Sequence, residues 1–402
     1  VPSVHADLHA LEFNPLNNRL YACNDGGVYY SPDKGTNWIE ITNGLPIGQV
    51  YKIGQSATIR DKTVNGYQDN GTSTYMGSYW QNIMGGDGME CAVDPIDGNY
   101  SYGTVYFGYI ERQYQNTYNG PVAYNGFNGI NESGAWITPF ILDEKKPDIM
   151  FVGYKNVWRS KNVKAPSDQI VWQKISSGLG GIDYQDMRAL EQSPANSDIL
   201  YAARYDNMFF RTDNCMAASP VWYDLTYLLP EIAGINDVEC DPYNPDIVYI
   251  SLNNKMYKST NRGQKWEDIS GTLPNVAFTS IATYEDSHDG LYISSDLGVF
   301  YRDEFMNDWI MFSNGLPPDA SGKEDRRCHH RSLRYRSDGQ SLRCRGSRWQ
   351  GRLLQSLPES VPGRQARAAG ASKRLLAARD RPMELSFYAR DAANSDHRLR
   401  GA

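Results

Sequence analysis

Residues 8–41 read LHALEFNPLNNRLYACNDGGVYYSPDKGTNWIEI, from Leu8 to Ile41. Apolar and polar residues alternate through LHALEFNP, RLYACNDG and GVYYSPDKGTNWIEI, which is the pattern of half-buried strands joined by tight turns. The segment Ser31-Pro-Asp33-Lys-Gly35-Thr-Asn-Trp38 reads as a hairpin between the third and fourth strands. Asp33 is expected to accept hydrogen bonds from backbone N–H groups two and three residues on. Gly35 is expected to supply the positive φ of the turn, and Trp38 to plug back into the sheet.

Working outward, similar units begin near Leu8, Val50, Met89, Ala135, Met187, Ile235 and Phe278, with spacings of 42, 39, 46, 52, 48 and 43 residues. A period of that length suits one four-stranded supersecondary unit. The sixth unit repeats the hairpin best, with Ser259, Asn261, Gly263 and Trp266. Worn versions read Ser160-Lys-Asn162 with Trp172, and Thr212-Asp213 with Trp222; the seventh unit carries Trp309. Asn14-Pro15, Asp94-Pro95, Asp241-Pro242 and Asn244-Pro245 mark recurrent turns between first and second strands. The second and third units carry longer Gly- and Asn-rich stretches, including YNGPVAYNGFNGINESG, and loops of that kind are either functional or fill the wedge between units.

The chain has 402 residues, with 28 Tyr and 9 Trp. Mean hydropathy is −0.58, and no run of about 18 apolar residues occurs, so no transmembrane helix is expected. The sequence opens on VPSVHADLHAL, already in strand pattern, which reads as a mature or truncated segment. Cys23, Cys91, Cys215, Cys240, Cys328 and Cys344 are scattered without C-x-x-C spacing, which reads as single thiols and no zinc site. Residues 1–320 hold 21 Lys+Arg against 39 Asp+Glu, while residues 321–402 hold 19 against 8. The acidic body argues against nucleic acid or anionic membranes as partners. The tail changes character near Asp319: 17 of its 19 basic residues are Arg, and Tyr falls from 26 in the body to two. We read 1–318 as the repeat domain and 319–402 as an Arg-rich tail, disordered or arising from a shifted reading frame, with a basic arm as the other reading.

Three sets of residues can carry chemistry. His5, Asp7 and His9 stand at i, i+2 and i+4; on one strand their side chains would share a face at Cα spacings of about 6.7 Å. They could bind a divalent metal or do acid/base work, or form a polar cluster that steadies the start of the chain. Asn24-Asp25-Gly26-Gly27, Gln68-Asp69-Asn70-Gly71 and Gly85-Gly86-Asp87-Gly88 place carboxylates on turns. Asp25 with Asp87 or Asp7 would make the carboxyl pair that glycoside hydrolysis needs; otherwise these are turns that close hairpins. Aromatic residues, among them Tyr29, Tyr30, Tyr75, Tyr79, Trp80, Tyr102, Tyr106, Tyr109, Tyr114, Tyr118 and Tyr124, could stack sugars, although strands are naturally Tyr-rich. His5, His9, Asp69, Asn70 and Trp80 are the ligand-binding candidates. No G-x-S-x-G, P-loop, dinucleotide fingerprint or HExxH occurs, which sets aside those enzyme classes. No cofactor is required by any motif.

The motifs HADLHAL, NDGGVYYSPDKGTNW, NGLPIGQVYKIG, YQDNGT, GGDGMEC, GAWITPF, STNRGQKWEDISGTLPN and LGVFY resemble secreted bacterial BNR/Asp-box proteins of the sortilin-like and glycosyl-hydrolase-like kind. The Ser31, Asp33, Gly35, Trp38 hairpin and its copy at Ser259, Asn261, Gly263 and Trp266 are the structural Asp-boxes of that resemblance. It implies an all-β propeller of about seven four-stranded blades over residues 5–318, secreted or held at a bacterial cell surface. Its ligand would be a glycan or peptide met at the rim of a central channel, and further propeller or sorting domains would belong to a longer parent chain. In that family the chain usually runs on to a closing segment that the Arg-rich tail here replaces. Xyloglucan-cleaving propeller endoglucanases are more distantly similar, and their catalytic base would fall on Asp25 of NDGG. The FRIP segment and arginine triad of sialidases find no match.

Overall fold

The computed structural model describes residues 4–313 apart from 46–47, 180–185 and 285–286. The expected domain boundary at 318 and the Arg-rich tail therefore lie outside the described residues. Contacts divide the described chain into two compact units, residues 4–45 and residues 48–313.

The first unit is one antiparallel sheet, β1 (Leu8–Asn14), β2 (Arg19–Asn24), β3 (Gly27–Ser31) and β4 (Ile39–Glu40), paired in chain order. The second unit holds six more such sheets. Sheet 2 is β5 (Val50–Gln55), β6 (Lys62–Tyr67), β7 (Gly71–Met76) and β8 (Trp80–Met84); sheet 3 is β9 (Cys91–Val93), β10 (Tyr100–Val105), β11 (Tyr109–Tyr114) and β12 (Thr117–Ala123). Sheet 4 is β13 (Phe140–Leu142), β14 (Met150–Gly153), β15 (Val157–Ser160) and β16 (Trp172–Lys174); sheet 5 is β17 (Met187–Gln192), β18 (Leu200–Arg204), β19 (Phe209–Thr212) and β20 (Trp222–Asp224). Sheet 6 is β21 (Ile235–Cys240), β22 (Val248–Leu252), β23 (Lys255–Ser259) and β24 (Glu267–Asp268); sheet 7 is β25 (Phe278–Thr283), β26 (Leu291–Ser295), β27 (Gly298–Arg302) and β28 (Ile310–Met311). Seven four-stranded sheets match the seven repeats. Five of the expected repeat starts are first residues of strands; sheets 3 and 4 begin slightly later, at Cys91 and Phe140.

The core of the second unit lies between sheets. Ala189, Tyr201 and Phe209 of sheet 5 pack on Val238, Val248 and Ile250 of sheet 6, and Tyr249 and Met256 of sheet 6 pack on Ile281, Leu291 and Ile293 of sheet 7. A middle sheet is thus buried on both faces, which is why β18 and β22 are buried at every residue rather than alternating.

Side chains lock neighbouring sheets together. The indole N–H of Trp172 donates to Val122 O (2.7 Å), that of Trp222 to Ile175 O (2.9 Å) and that of Trp309 to Ile269 O (2.7 Å). Arg112, Arg159 and Arg211, on the third strands of sheets 3, 4 and 5, donate to the carbonyls of Val163, Cys215 and Arg262 in the third turn of the next sheet. Burial lowers the Arg112 and Arg159 guanidinium pKa values from their ordinary range, yet both remain charged donors to these carbonyls.

The Ser31–Trp38 hairpin closes through a different pair than expected. Ser31 Oγ accepts the Gly35 N–H at 2.7 Å, and Asp33 Oδ1 accepts the Asn37 N–H at 2.7 Å, so Asp33 reaches four residues on rather than two or three. Gly35 has φ +92° and lies against Trp38. Ser259 and Asn261 repeat this geometry on Gly263 (2.8 Å) and Lys265 (2.8 Å). In sheet 5 the acceptor is Asn214, which takes the Val221 N–H at 2.8 Å, and not Asp213, which pairs with Arg211.

Candidate functional site

In a four-stranded antiparallel sheet, the turn between strands two and three emerges at the same end as the connection into strand one. Asp25 and the His5–Asp7 segment therefore share one end of the first sheet. Asp69, Asn70 and Asp87 share the corresponding end of sheet 2. The Ser-Asp-Gly-Trp hairpins occupy the third turns, at the opposite end.

In the first unit, β1 begins at Leu8, and Asp7 has φ +56°. His5, Asp7 and His9 therefore do not lie on one strand face, and the three-residue ligand set argued from strand periodicity is not formed. The residues are gathered differently. His9 Nε2 lies 2.6 Å from Asp25 Oδ1, and carboxylate oxygens of Asp7 and Asp25 lie within 4.8 Å of each other. His5 packs over Gly26, where a Cβ would stand 2.5 Å from the His5 side chain, and its carbonyl accepts the Asn24 amide at 3.0 Å. Asp7 and Asp25 thus present two hard oxygens that suit a divalent cation better than the His-Asp-His set does.

In the second unit, Asp87 Oδ1 accepts the Asp69 N–H at 2.7 Å, and Gly88 N–H donates to Tyr67 O at 2.9 Å. These bonds tie the loop from β8 to β9 onto the β6–β7 turn. Asp69 takes φ +58°, and Gly71 and Gly88 pack backbone on backbone, where a Cβ on Gly88 would stand 2.1 Å from Gly71 O. Trp80 opens β8 just after the third turn, at the far end of the sheet from Asp69 and Asp87, with its ring against Tyr75 (5.0 Å). The backbone of Trp80 thus starts at the other end of sheet 2, while its ring reaches back to meet that of Tyr67, the last residue of β6, edge-on at 6.3 Å.

Two groupings were not read from the sequence, although Tyr106 of the first was among its sugar-stacking candidates. The first is an aromatic cluster at the same end of sheets 3 and 4. Tyr106 and Phe107 form the β10–β11 turn, and Trp136 lies in the loop leading to β13. The Tyr106 and Trp136 rings stack at 5.2 Å, and Phe107 meets Trp136 edge-on at 5.5 Å. Tyr106, Phe107 and Trp136 are 41%, 51% and 36% exposed. Phe107 sits at φ +63°, ψ +22°, an unfavourable region for a bulky side chain. The turn is held by Phe107 N–H to Trp136 O (3.4 Å) and by the buried Tyr154 hydroxyl donating to Gly108 O (2.8 Å). Glu132 anchors the Trp136 loop by accepting from Asn156 (2.9 Å) and the Trp158 indole (3.0 Å). Burial opposes its charge, but these donors and Lys174 outweigh it and leave its pKa lowered. Gly86 of the Asp87 loop approaches this cluster, its Cβ direction 3.6 Å from the Tyr106 hydroxyl.

The second feature is a bulge at the start of five first strands. The register skips His9 in β1, Tyr51 in β5, Arg188 in β17, Asn236 in β21 and Thr279 in β25. A bulge re-aims one side chain. Each of these residues meets the second turn of its own sheet or the strand end beside it: His9 with Asp25 (2.6 Å), Tyr51 with Gln68 (3.1 Å), Arg188 with Tyr205 (5.2 Å), Asn236 with Asn253 (3.0 Å) and Thr279 with Ser294 (3.0 Å). Alignment of the repeats on Leu8, Val50, Met187, Ile235 and Phe278 would have found them, since each is the next residue.

Deep in the second unit, first strands carry carboxylates that accept backbone N–H groups of the next sheet. Glu191 takes Cys240 N–H (3.1 Å), Asp237 takes Ile281 N–H (2.8 Å) and Glu239 takes Thr283 N–H (3.0 Å). Burial, then the neighbouring Glu239, raises the Glu191 pKa well above the ordinary carboxylate range; burial also raises that of Asp237. A hollow of about 190 Å³ lined by Arg159, Lys161, Asn162, Val171 and Gln173 lies towards the opposite, third-turn end and is smaller than ordinary ligand sites.

No family model and no curated protein matches this sequence. Among solved structures, the chain is similar to an ancestral GH74 enzyme, with 15% identity, 77% of this chain and 46% of the other covered, and a TM-score of 0.50. It spans less than half the length of that enzyme. It is also similar to YCF48 from Cyanidioschyzon merolae (12% identity, 76% and 97% covered, TM-score 0.46) and to a chain of the mitotic checkpoint complex (9% identity, 73% and 89% covered, TM-score 0.48). Together with the seven four-stranded sheets, the first likeness places the fold in the β-propeller class. Among the described residues no helix is long and apolar enough to cross a membrane.

Proposed function

We propose that the chain is a secreted or cell-surface bacterial propeller of the BNR/Asp-box type that binds a glycan at the second-turn end of the sheets of its second unit. The observation that carries this reading is the Tyr106, Phe107 and Trp136 cluster. Three aromatic rings stand more than a third exposed beside the Asp87 loop. Sugar C–H faces stack on such rings, while Asp87 and the backbone of the Gly85–Gly88 loop offer hydrogen-bonding groups to hydroxyls. A peptide is the other ligand class, since aromatic rings and carboxylates serve it too. Isothermal titration calorimetry against neutral oligosaccharides such as cellohexaose, acidic oligosaccharides and peptides tests the reading: saturable glycan binding weakened at least tenfold by W136A supports it, and no glycan binding refutes it.

A hydrolase of the endo-β-glucanase type is the second reading. It is favoured by the Asp7 and Asp25 carboxylates within 4.8 Å, close to the roughly 5 Å spacing of retaining glycosidases. Asp25→Asn would then abolish product release from a β-glucan; unchanged release removes Asp25 from that role.

A further inference from the structure

Arg188 is the bulged residue of β17, and its surroundings differ from those of the other arginines in the second unit. Arg60, Arg204, Arg211 and Arg262 each pair with an aspartate. Arg112, Arg159 and Arg302 donate to backbone carbonyls. Among the described residues the partners of Arg188 are neutral: one terminal nitrogen donates to Asn236 Oδ1 at 2.8 Å, and the guanidinium lies 5.2 Å from the centre of the Tyr205 ring. The Asn236 amide donates in turn to Asn253 O at 3.0 Å, which fixes its oxygen towards Arg188. No ion pair within the described residues includes Arg188, in a body with 39 acidic and 21 basic residues.

A guanidinium offers five N–H donors in a planar fork that matches a carboxylate. One terminal nitrogen is taken by a neutral amide, and the guanidinium keeps further N–H donors that a carboxylate can accept from. The bulge turns this fork towards the end of the sheet where the second turns lie. We infer that Arg188 is the anchor for a carboxylate of the ligand, so that the glycan carries uronic acid residues. The inference rests on the glycan reading above and specifies its chemistry: Asn236 and Tyr205 hold the fork, and the uronate carboxylate completes it.

Calorimetry of the full chain with trigalacturonate and with its methyl ester tests this. The expected result is at least tenfold tighter binding of the acid. R188Q abolishes that preference, so that acid and ester bind with equal affinity. N236D, which supplies a carboxylate to the fork from within, also lowers acid affinity with Arg188 in place, and unchanged melting temperatures show that both variants fold. Equal affinity for acid and ester, or an acid preference that survives R188Q, overturns the inference alone. Failure of cellohexaose, trigalacturonate and the ester all to bind overturns it together with the glycan reading. Capture of a peptide through its C-terminal carboxylate, lost on amidation and in R188Q, in place of the uronate overturns the assigned ligand class.

Discussion

Replacement of Arg159 by Met tests how the sheets of the second unit are joined. Arg159 is 2% exposed and donates to the carbonyls of Cys215 and Ala217 in the next sheet, and to Gln173 Oε1 at 2.7 Å. Met keeps most of the side-chain volume, so the change isolates the hydrogen bonds from cavity formation. Two carbonyls lose their charged donor, at about 1–3 kcal/mol each where they stay dry. The desolvation of the guanidinium, which lowers its pKa, is relieved at the same time and offsets part of the loss. The expected net loss is about 3 kcal/mol, and at about 2 °C per kcal/mol for a domain of this size the melting temperature falls by roughly 6 °C. Thermal and urea unfolding followed by circular dichroism measure it. A fall below about 1 °C with an unchanged urea slope would refute the claim that these straps hold the sheets together.

Glu191→Gln probes the deep carboxylates. Because the folded state raises the Glu191 pKa, its contribution to stability is present at low pH and is lost as pH rises from about 4.3, the unfolded value, through the folded one. The variant keeps an acceptor for Cys240 N–H, so its melting temperature should exceed that of the wild type at pH 8, with the gap shrinking towards pH 4; a pH-independent gap contradicts the argument. Phe107→Gly removes an exposed ring from a left-handed position, where the backbone cost is about 1–2 kcal/mol. Stability should stay within about 1 kcal/mol while glycan affinity falls at least tenfold, and a large stability loss would mark the ring as structural. Burial raises the thiol pKa values of Cys91, Cys215 (to about 12) and Cys240, so peptide mapping should find all three unalkylated by iodoacetamide at pH 8 in the native chain and modified after unfolding. Native labelling of any of them shows that its sheet opens.

The sequence by itself marked the repeat units and put their number at about seven, which the seven sheets among the described residues match. Alternation marked the strands, and the recurrence of Ser31-to-Trp38 features at Ser259, Ser160 and Thr212 fixed the period, because each repeat must satisfy the same local turn chemistry. The second-turn carboxylates Asp25 and Asp69 were also legible, since Asn, Asp and Gly mark turns through their own backbone preferences. What joins these pieces was decided only by tertiary structure. Strand direction set the backbone of Trp80 at the end away from Asp69, and a left-handed Asp7 dissolved the His5, Asp7, His9 face that period two implied. Phe107 and Trp136 stand 29 positions apart in sequence and meet because consecutive sheets pack side by side. The bulge at His9, Tyr51, Arg188, Asn236 and Thr279 shows in a single strand only as a one-residue shift of phase, which aligned repeats would locate but whose geometry they leave open. A backbone register skip, closed by hydrogen bonds between strands, is what turns those side chains towards the second turns.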